Sequence, residues 1–331
     1  MSSITEIIEK YEALRSKNEA LKKQRIEEVY AKLPEIKTID EEINSKGFEI
    51  ASNIFKLAQK GIDPEDFIAK KQIEIEKLKQ KKAIILTEKG YPVNYMDIQY
   101  ECEKCRDTGY IGNNKCNCLK QKIINLYFKQ SNLAKVLDRE NFKKFNFNYY
   151  SDVKSDTYGL SPRERITDIH ARCVSFCETF GSHNLNMLFT GSPGLGKTFL
   201  CNCIALEVLR KEKSVVYNTS TSLIDTIRTI KYTDKDKAKL DYIVNCDLLI
   251  IDDLGTENIT ASSQSEIFNI LNERLLRKKN TIISTNLSLD ELYIHYDKRI
   301  VSRIIGNFEL CEFFGKDIRL IINTDKKKKG S

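Results

Sequence analysis

The sequence predicts an α/β domain built on a parallel β-sheet, preceded by an α-helical region and a segment with paired cysteines. Three observations predict this arrangement. A glycine-rich loop lies between an apolar run and a helix-permissive segment, further apolar runs end in polar residues, and the first block of the chain is highly charged with isoleucines at helical spacing. Strands buried in a parallel sheet are typically continuous apolar runs, as they are here.

The glycine-rich loop at residues 191–198 is the strongest functional signal. It fits the pattern G-x-x-x-x-G-K-[ST] at every defined position, between a short apolar strand at 185–190 and a helical segment at 199–210. Such a loop turns backbone N–H groups towards phosphate oxygens at a helix N-terminus. Lys197 adds a charge for the outer phosphates, and Thr198 offers a hydroxyl to Mg²⁺. The motif favours a nucleoside triphosphate site over a simple glycine turn. The expected binding residues are Gly191, Ser192, Pro193, Gly194, Leu195, Gly196, Lys197 and Thr198.

A second motif is an apolar run, residues 248–251, that ends in Asp252 and Asp253. Ligands of open α/β sheets bind at the carboxyl ends of the strands, so both acids should lie at the nucleotide site. Asp252 is expected to orient Mg²⁺, directly or through water, and Asp253 to polarise the attacking water. The alternative is that the two acids cap a helix.

Four polar residues further along the chain are weaker candidates. Asn286 follows the apolar run 281–283 and can help to position a water near the terminal phosphate. Arg299 and Arg303 lie on a helix-like segment, and Arg319 lies in the last apolar run, residues 317–322. Each arginine alone is compatible with a surface ion pair, and the order of the motifs is more informative than any single member.

Four cysteines near the middle of the chain predict a metal site. Cys102 and Cys105 form a C-x-x-C pair and Cys116 and Cys118 a C-x-C pair, with turn-forming residues between them. Four soft thiolates suit a closed, tetrahedral zinc site, which is structural and not catalytic. The alternative is four unliganded thiols. The other six of the ten cysteines lie in apolar contexts and are expected to be buried.

The first part of the chain is predicted to form three helices. A stripe containing Ile7, Ile8 and Leu21 ends at Pro34, a second helix runs over 35–59, and a third begins near Pro64 and reaches about residue 87. Such stripes are usually core, but a small bundle can also use them to bind a partner. The expected domains are a helical region at 1–90, a zinc-binding segment at 91–125, a linker at 126–160 and the nucleotide-binding domain at 161–331.

The aromatic residues of 142–150 favour packing on that domain over stacking on nucleic-acid bases. A net charge of +7 is compatible with nucleic acid as a partner and equally with a solvated lysine-rich surface. The lysine run at 326–329 has the same two interpretations. We expect a cytoplasmic protein without a membrane segment, because the sequence has neither a long apolar run nor a signal pattern.

Taken together, these motifs resemble the AAA+ ATPases, and among them the bacterial helicase loaders of the DnaC and DnaI group and the related transposition helper IstB. The resemblance covers about residues 160–323 and rests on four stretches, namely 191–198, 249–255, 284–286 and 302–304. It implies a five-stranded parallel sheet flanked by helices. In this pattern Asn286 is similar to the first sensor, Arg303 to the arginine finger that reaches a neighbouring subunit, and Arg319 to the second sensor. Arg299 is the competing finger candidate.

The resemblance also implies a function. Such a protein is an ATPase that uses ATP and Mg²⁺ to load the hexameric replicative DNA helicase onto single-stranded DNA during replication initiation or restart, and that self-assembles through the ATPase domain. The cysteine segment resembles that of DnaI, although the C-x-C half departs from the usual pattern. Two alternatives remain: an IstB-like helper of a transposase, and a binding module with an inactive nucleotide site. The sequence leaves open the identity of the helicase, a host or phage origin, the oligomeric state without DNA, and whether the loader opens a ring or builds one.

Overall fold

A computed structural model describes residues 4–59, 63, 65–127, 139–233 and 237–321. Pro64 and the lysine run at 326–329 lie outside the described residues. The chain divides into two compact units, one formed by residues 5–113 and the other mainly by the residues from Asn114 onwards.

The first unit contains the three predicted helices, which are α1 (Ile4–Lys32), α2 (Pro34–Gln59) and α3 (Glu65–Glu88). Its core is a cluster of five buried apolar residues, Val29, Leu33, Ile36, Leu86 and Met96. The stripe predicted for α1 is wrong at Ile8 and Leu21, which are both 37% exposed, whereas Ile7 is buried. The buried face of α1 is therefore narrower than its apolar pattern indicates. In the described part of the chain, no helix is both long and apolar enough to cross a membrane.

A two-stranded hairpin follows, formed by β1 (Tyr110–Ile111) and β2 (Asn114–Lys115). It leads directly into α4 (Asn117–Tyr127). The four cysteines of the predicted metal site flank this hairpin.

The second unit is built on a five-stranded sheet whose strands are all parallel. The strands are β3 (Met187–Thr190), β4 (Val215–Thr219), β5 (Leu248–Leu254), β6 (Asn280–Thr285) and β7 (Glu309–Glu312), in the spatial order β4-β5-β6-β3-β7. The described helices that follow α4 in this unit are α5 (Pro162–Glu178), α6 (Lys197–Arg210), α7 (Ser220–Thr233), α8 (Lys237–Asn245), α9 (Ala261–Leu276), α10 (Leu289–His295) and α11 (Lys298–Asn307). This is the five-stranded parallel sheet flanked by helices that the resemblance implies.

Alternate side chains of β3, β4, β5 and β6 enter two different cores, one on each face of the sheet. On β5, Leu249 and Ile251 lie in one apolar cluster, whereas Leu248 and Ile250 lie in the other. A strand covered on both faces has no solvent side, which explains its continuous apolar sequence. Because β5, β6 and β3 are neighbouring and parallel strands, their carboxyl ends lie together at one edge of the sheet.

Helix α4 covers the outer edge of β4. The Gln121 amide donates from Nε2 to the Val215 carbonyl (3.1 Å) and accepts from the Val215 N–H at Oε1 (2.8 Å). Ile124 of the same helix lies in one of the two sheet cores. The side chain of Gln121 thus pairs with the edge strand as a further strand would.

The aromatic residues that precede α5 pack against the sheet unit, as expected from the sequence. Phe142, Phe145, Phe147 and Tyr149 contact the core formed by β3, α5 and α6, and Tyr150 is buried within it. The last strand, β7, is not predicted from the sequence, and residues 318–321 beyond it are helical. Both the aromatic segment and this final segment lie beside the glycine-rich loop.

Candidate nucleotide-binding site and cysteine cluster

A pocket of about 500 Å³ lies at the carboxyl ends of β3, β5 and β6. Its size is that of a small-molecule site. Most of the predicted nucleotide-binding and catalytic residues line it, namely Pro193, Gly194, Leu195, Gly196, Lys197, Thr198, Asp253, Asn286 and Arg319. Among the described residues, Arg299 and Arg303 do not line it. Asp252 lies beneath it, only 4% exposed.

The glycine-rich loop is held in place by the segments on either side. Ile318 N–H donates to the Gly194 carbonyl (2.9 Å), and the Tyr150 hydroxyl donates to the Leu195 carbonyl (3.0 Å). Gly194 has a φ of +77°, and a Cβ at this position would collide with the Asp317 carboxylate. Only glycine allows this close approach without strain. Contacts from both neighbouring segments therefore fix the shape of the loop.

Lys197 begins helix α6 and is buried beneath the loop. Its Nζ donates to the carbonyls of Gly191 and Ser192, the latter at 2.8 Å. Burial lowers the pKa of Lys197 to about 8, although the carboxylates of Asp253 and Asp252 act in the opposite direction. A polyphosphate bound at the N-terminus of α6 would add negative charge beside Lys197 and so favour its protonated, positively charged form.

Asp252 accepts hydrogen bonds from three hydroxyl groups. Thr198 Oγ1 donates to Oδ1 (3.3 Å), Tyr217 OH donates to Oδ2 (2.9 Å), and Ser284 Oγ donates to Oδ1. A carboxylate and a hydroxyl, both hard oxygen donors, lie side by side next to an open pocket. This donor set fits Mg²⁺, which is usually bound through one or two protein oxygens together with substrate phosphates.

Asp253 is turned into the pocket by an irregularity in β5. The pairing of β5 with β6 shifts register between Ile251 and Leu254, and Asp253 has a φ of +55°. A bulge of this kind redirects a side chain, and positive φ in a residue other than glycine is rare. Burial raises the pKa of Asp253, and the charge of Asp252 raises it further, while Lys197 and Arg319 oppose the change. Such a carboxylate is suited to accept a hydrogen bond, or a proton, from water.

Asn286 and Arg319 complete the pocket from two further segments. Asn286 is exposed at the end of β6. Arg319 forms an ion pair with Asp317, from Nη2 to Oδ2 at 2.9 Å and from Nε to Oδ1 at 3.1 Å. The hydrogen bond from Arg319 lowers the pKa of Asp317, as expected for a carboxylate beside a guanidinium.

Both finger candidates lie on α11, away from this pocket. Arg299 donates twice to the Asp297 carboxylate, at 3.0 and 3.4 Å, and its guanidinium lies 5.1 Å from the centre of the Phe268 ring. Arg303 is exposed and donates from Nε to Asn272 Oδ1 at 3.3 Å. Among the described residues, the Arg303 guanidinium is thus held by a single long hydrogen bond and that of Arg299 by several contacts.

One wall of the pocket is apolar and aromatic, which the motifs did not indicate. Phe145, Tyr149 and Tyr150 lie on one side, with Phe199 and Ile318 close by. A flat heterocyclic base can pack on such a surface. The interleaving of aromatic residues with asparagine at 142–150 is the sequence signal that could have identified this wall.

The four predicted metal-binding cysteines lie together. The Sγ atoms of Cys102, Cys105, Cys116 and Cys118 are all within 4.8 Å of one another. Four sulfurs bound tetrahedrally to one zinc ion are about 3.8 Å apart, given a Zn–S distance of about 2.3 Å. The cluster therefore fits zinc.

Backbone groups support the C-x-x-C turn. The Gly109 N–H donates to Cys105 Sγ (3.4 Å), and the buried Asp107 carboxylate accepts from Cys102 N–H (2.8 Å) and from Asn18 Nδ2 (3.0 Å). Hydrogen bonds of this type orient thiolates and stabilise their charge. Outside this cluster, the described residues contain no other group of three or more His, Cys, Asp or Glu that could hold a metal ion.

Comparison with known proteins places these features in a family. The model of the IstB-like ATP binding proteins matches residues 126–306, which include the glycine-rich loop, the acid pair and Asn286. The chain belongs to this family.

Several relatives of this IstB-like protein are similar over part of its length. It is 27% identical to the replicative helicase loader DnaC of Escherichia coli over 140 residues, 41% of this chain and 57% of DnaC. It is 30% identical to the replicative helicase loader DnaI of Bacillus subtilis over 148 residues, 43% of this chain and 44% of DnaI. YqaM of Bacillus subtilis is 27% identical over 223 residues, 64% of either chain. The similarity thus spans about half to two thirds of these relatives.

Among solved structures, the DnaC helicase loader matches with a TM-score of 0.46 at 23% identity, over 54% of this chain and 99% of the other. The structure of DnaI matches with a TM-score of 0.44 at 22% identity, over 56% and 93%.

Proposed function

We propose that this IstB-like protein is an ATP-dependent loader of a replicative DNA helicase onto single-stranded DNA. The observation that carries the proposal is the pocket, where the phosphate loop, Asp253, Asn286 and Arg319 meet around one cavity. Similarity to DnaC and DnaI supports the choice of the helicase as the partner.

In this proposal each residue of the pocket has a chemical task. Backbone N–H groups of the loop and the Lys197 ammonium bind the phosphates of ATP. Asp252 and Thr198 hold Mg²⁺, which supplies positive charge to the phosphate oxygens when it is bound. Asp253 orients the attacking water and accepts its proton, and Asn286 fixes the position of that water.

Two arginines complete the chemistry. Arg319 binds the terminal phosphate from within the same chain once it leaves Asp317. Arg303 reaches the nucleotide of a neighbouring subunit, because it is exposed, weakly held and outside its own pocket. Hydrolysis then depends on self-assembly through the ATPase unit.

The helical unit is the proposed docking element for the hexameric helicase. It exposes large apolar side chains, including Phe48 (77%), Ile73 (57%) and Val93 (61%). Exposed apolar residues of this size are expected at a protein interface. Zinc at the cysteine cluster serves to hold the hairpin in shape and takes no part in the chemistry.

The test is association of the full chain with the hexameric replicative helicase encoded by the same genome, followed by ATP-dependent transfer of the helicase to circular single-stranded DNA. Phe48→Asp combined with Ile73→Asp should abolish association and leave ATP binding unchanged. Val153→Asp, at an equally exposed apolar residue of the ATPase unit, is the matched control and should associate normally.

Lack of association by the wild-type chain would refute the loader function. Stimulation of the ATPase by duplex DNA and a transposase, without any effect of the helicase, would favour the IstB-like helper instead.

A further inference from the structure

The network around Asp252 contains two residues to which the sequence motifs assign no role, Tyr217 and Ser284; Ser284 begins the stretch 284–286, in which only Asn286 is a candidate for the chemistry. Tyr217 belongs to β4 and Ser284 to β6, the two strands on either side of β5. Tyr217 OH donates to Asp252 Oδ2 (2.9 Å), and Ser284 Oγ donates to Oδ1. Both oxygens of the carboxylate are therefore held, each from a different neighbouring strand.

The bulge in β5 explains the position of Ser284. Ile251 pairs with Ile283 and Leu254 pairs with Thr285, so Asp252 and Asp253 together face the single residue Ser284. The Ser284 hydroxyl bonds to both acids, since it donates to the Asp252 carboxylate and accepts from the Asp253 N–H (3.0 Å). One side chain thus sets the relative placement of the two acids.

The three donors to Asp252 are not equivalent. The bond from Thr198 Oγ1 is 3.3 Å long, and Thr198 lines the open pocket. The Thr198 hydroxyl can therefore turn towards a ligand, whereas Tyr217 and Ser284 are not among the described residues that line the pocket. Ser284 is completely buried, so water cannot replace its hydroxyl without rearrangement.

We propose that Tyr217 and Ser284 are positioning residues that fix the Asp252 carboxylate for binding Mg²⁺ with the nucleotide. The inference rests on the proposed nucleotide site and deepens it. Partners that hydrogen-bond a metal-binding side chain typically change metal affinity or activity about 10- to 100-fold when they are removed. A rotated Asp252 carboxylate would still be buried but would direct its oxygens away from the pocket.

The experiment measures the affinity of a fluorescent ATP analogue in EDTA and along a Mg²⁺ titration. The variants are Tyr217→Phe and Ser284→Ala, each of which removes a hydroxyl and little volume, and Ser284→Thr, which keeps the hydroxyl. Tyr158→Phe is the matched control, because Tyr158 OH also bonds to a carboxylate, that of Glu312 (3.3 Å), outside the pocket.

We expect affinity in EDTA to be unchanged in all variants. The Mg²⁺ concentration for half-maximal binding should rise about tenfold or more in Tyr217→Phe and Ser284→Ala. It should stay close to the wild-type value in Ser284→Thr and Tyr158→Phe.

An unchanged Mg²⁺ requirement in Tyr217→Phe and Ser284→Ala would overturn the inference. So would an equal loss of affinity in EDTA and in Mg²⁺, because that result would show a general structural role. Absence of nucleotide binding by the wild-type chain would instead refute the proposed function itself.

Discussion

Replacement of Arg303 by alanine tests whether hydrolysis takes place between subunits. Arg303 is exposed on α11 and lies outside its own pocket, and within the described residues its guanidinium has a single hydrogen bond, 3.3 Å long, to Asn272. Loss of an exposed side chain with one long hydrogen bond should change the free energy of unfolding by about 0.5 kcal/mol at most. A large loss of activity could then not be attributed to unfolding or to damage to the pocket of the same chain. It would indicate that Arg303 acts at the pocket of a neighbouring subunit.

The expected effect on the rate follows from the charge that an arginine finger supplies. Removal of such a finger costs about a thousandfold or more in kcat, which corresponds to about 4 kcal/mol of transition-state stabilisation. ATP affinity should be close to that of the wild type, because the loop, Lys197 and Asp252 are untouched. Steady-state ATPase activity with single-stranded DNA present is the assay, with Arg277→Ala as the control at an exposed arginine that pairs with Glu273.

A mixture of Arg303→Ala and Lys197→Ala chains should recover activity. In an equal mixture an intact pocket faces an intact arginine at about one interface in four, so the rate should rise to about a quarter of the wild-type value, some 250-fold above Arg303→Ala alone. Arg319→Ala should not recover in this way, because Arg319 lines the pocket of its own chain.

Two results would refute this reasoning in different ways. If Arg303→Ala hydrolyses ATP at the wild-type rate and Arg299→Ala does not, Arg299 is the finger. If neither substitution matters, hydrolysis does not require a neighbouring arginine.

Three further predictions concern the loop, the cysteines and the sheet edge. Because burial lowers the pKa of Lys197 to about 8, the ammonium loses its proton above that pH, and ATP affinity, measured by titration of the protein with ATP at each pH, should fall by up to about tenfold per pH unit. Lys197→Ala should bind ATP weakly and without this pH dependence. Elemental analysis should find one zinc per chain, and markedly less in Cys102→Ser; metal well below one per chain, unaffected by the substitution, would contradict the site. Gln121→Ala removes two hydrogen bonds to Val215 and should lower the unfolding free energy by about 1–3 kcal/mol in denaturant titrations, whereas an unchanged value would show that water replaces them.

The parts of the site that could be predicted from the sequence are contiguous motifs. The loop at 191–198 and the acid pair each carry their own flanking pattern, so their positions at strand ends follow from local sequence alone. Strand β7 was not predicted, because only one of its four residues, Cys311, is buried. A short edge strand of this kind lacks the continuous apolar run by which the buried strands are recognised. The clustering of the four cysteines could be predicted from the spacing of their thiols.

The remaining features depend on partners far apart in the chain. Tyr217 lies 35 residues from Asp252, and Gln121 lies 94 residues from Val215. No short segment of the sequence contains both members of such a pair. A tyrosine in a strand or a glutamine on a helix is common, so neither residue indicates by its type which partner it binds. The bulge that turns Asp253 into the pocket could not be predicted from the sequence either, because it arises from the pairing register between β5 and β6.

The bonds between Gln121 and Val215 have a consequence for how copies of this chain can meet. An edge strand with open N–H and C=O groups can pair with a strand of another molecule, which leads to aggregation or fibre growth. At Val215 both groups are already occupied by the Gln121 amide, so strand addition there requires displacement of α4. Association through the helical surfaces and loops around the nucleotide is not blocked in this way. The occupied edge at Val215 thereby disfavours irreversible growth of the sheet and leaves those other surfaces free for the proposed self-assembly.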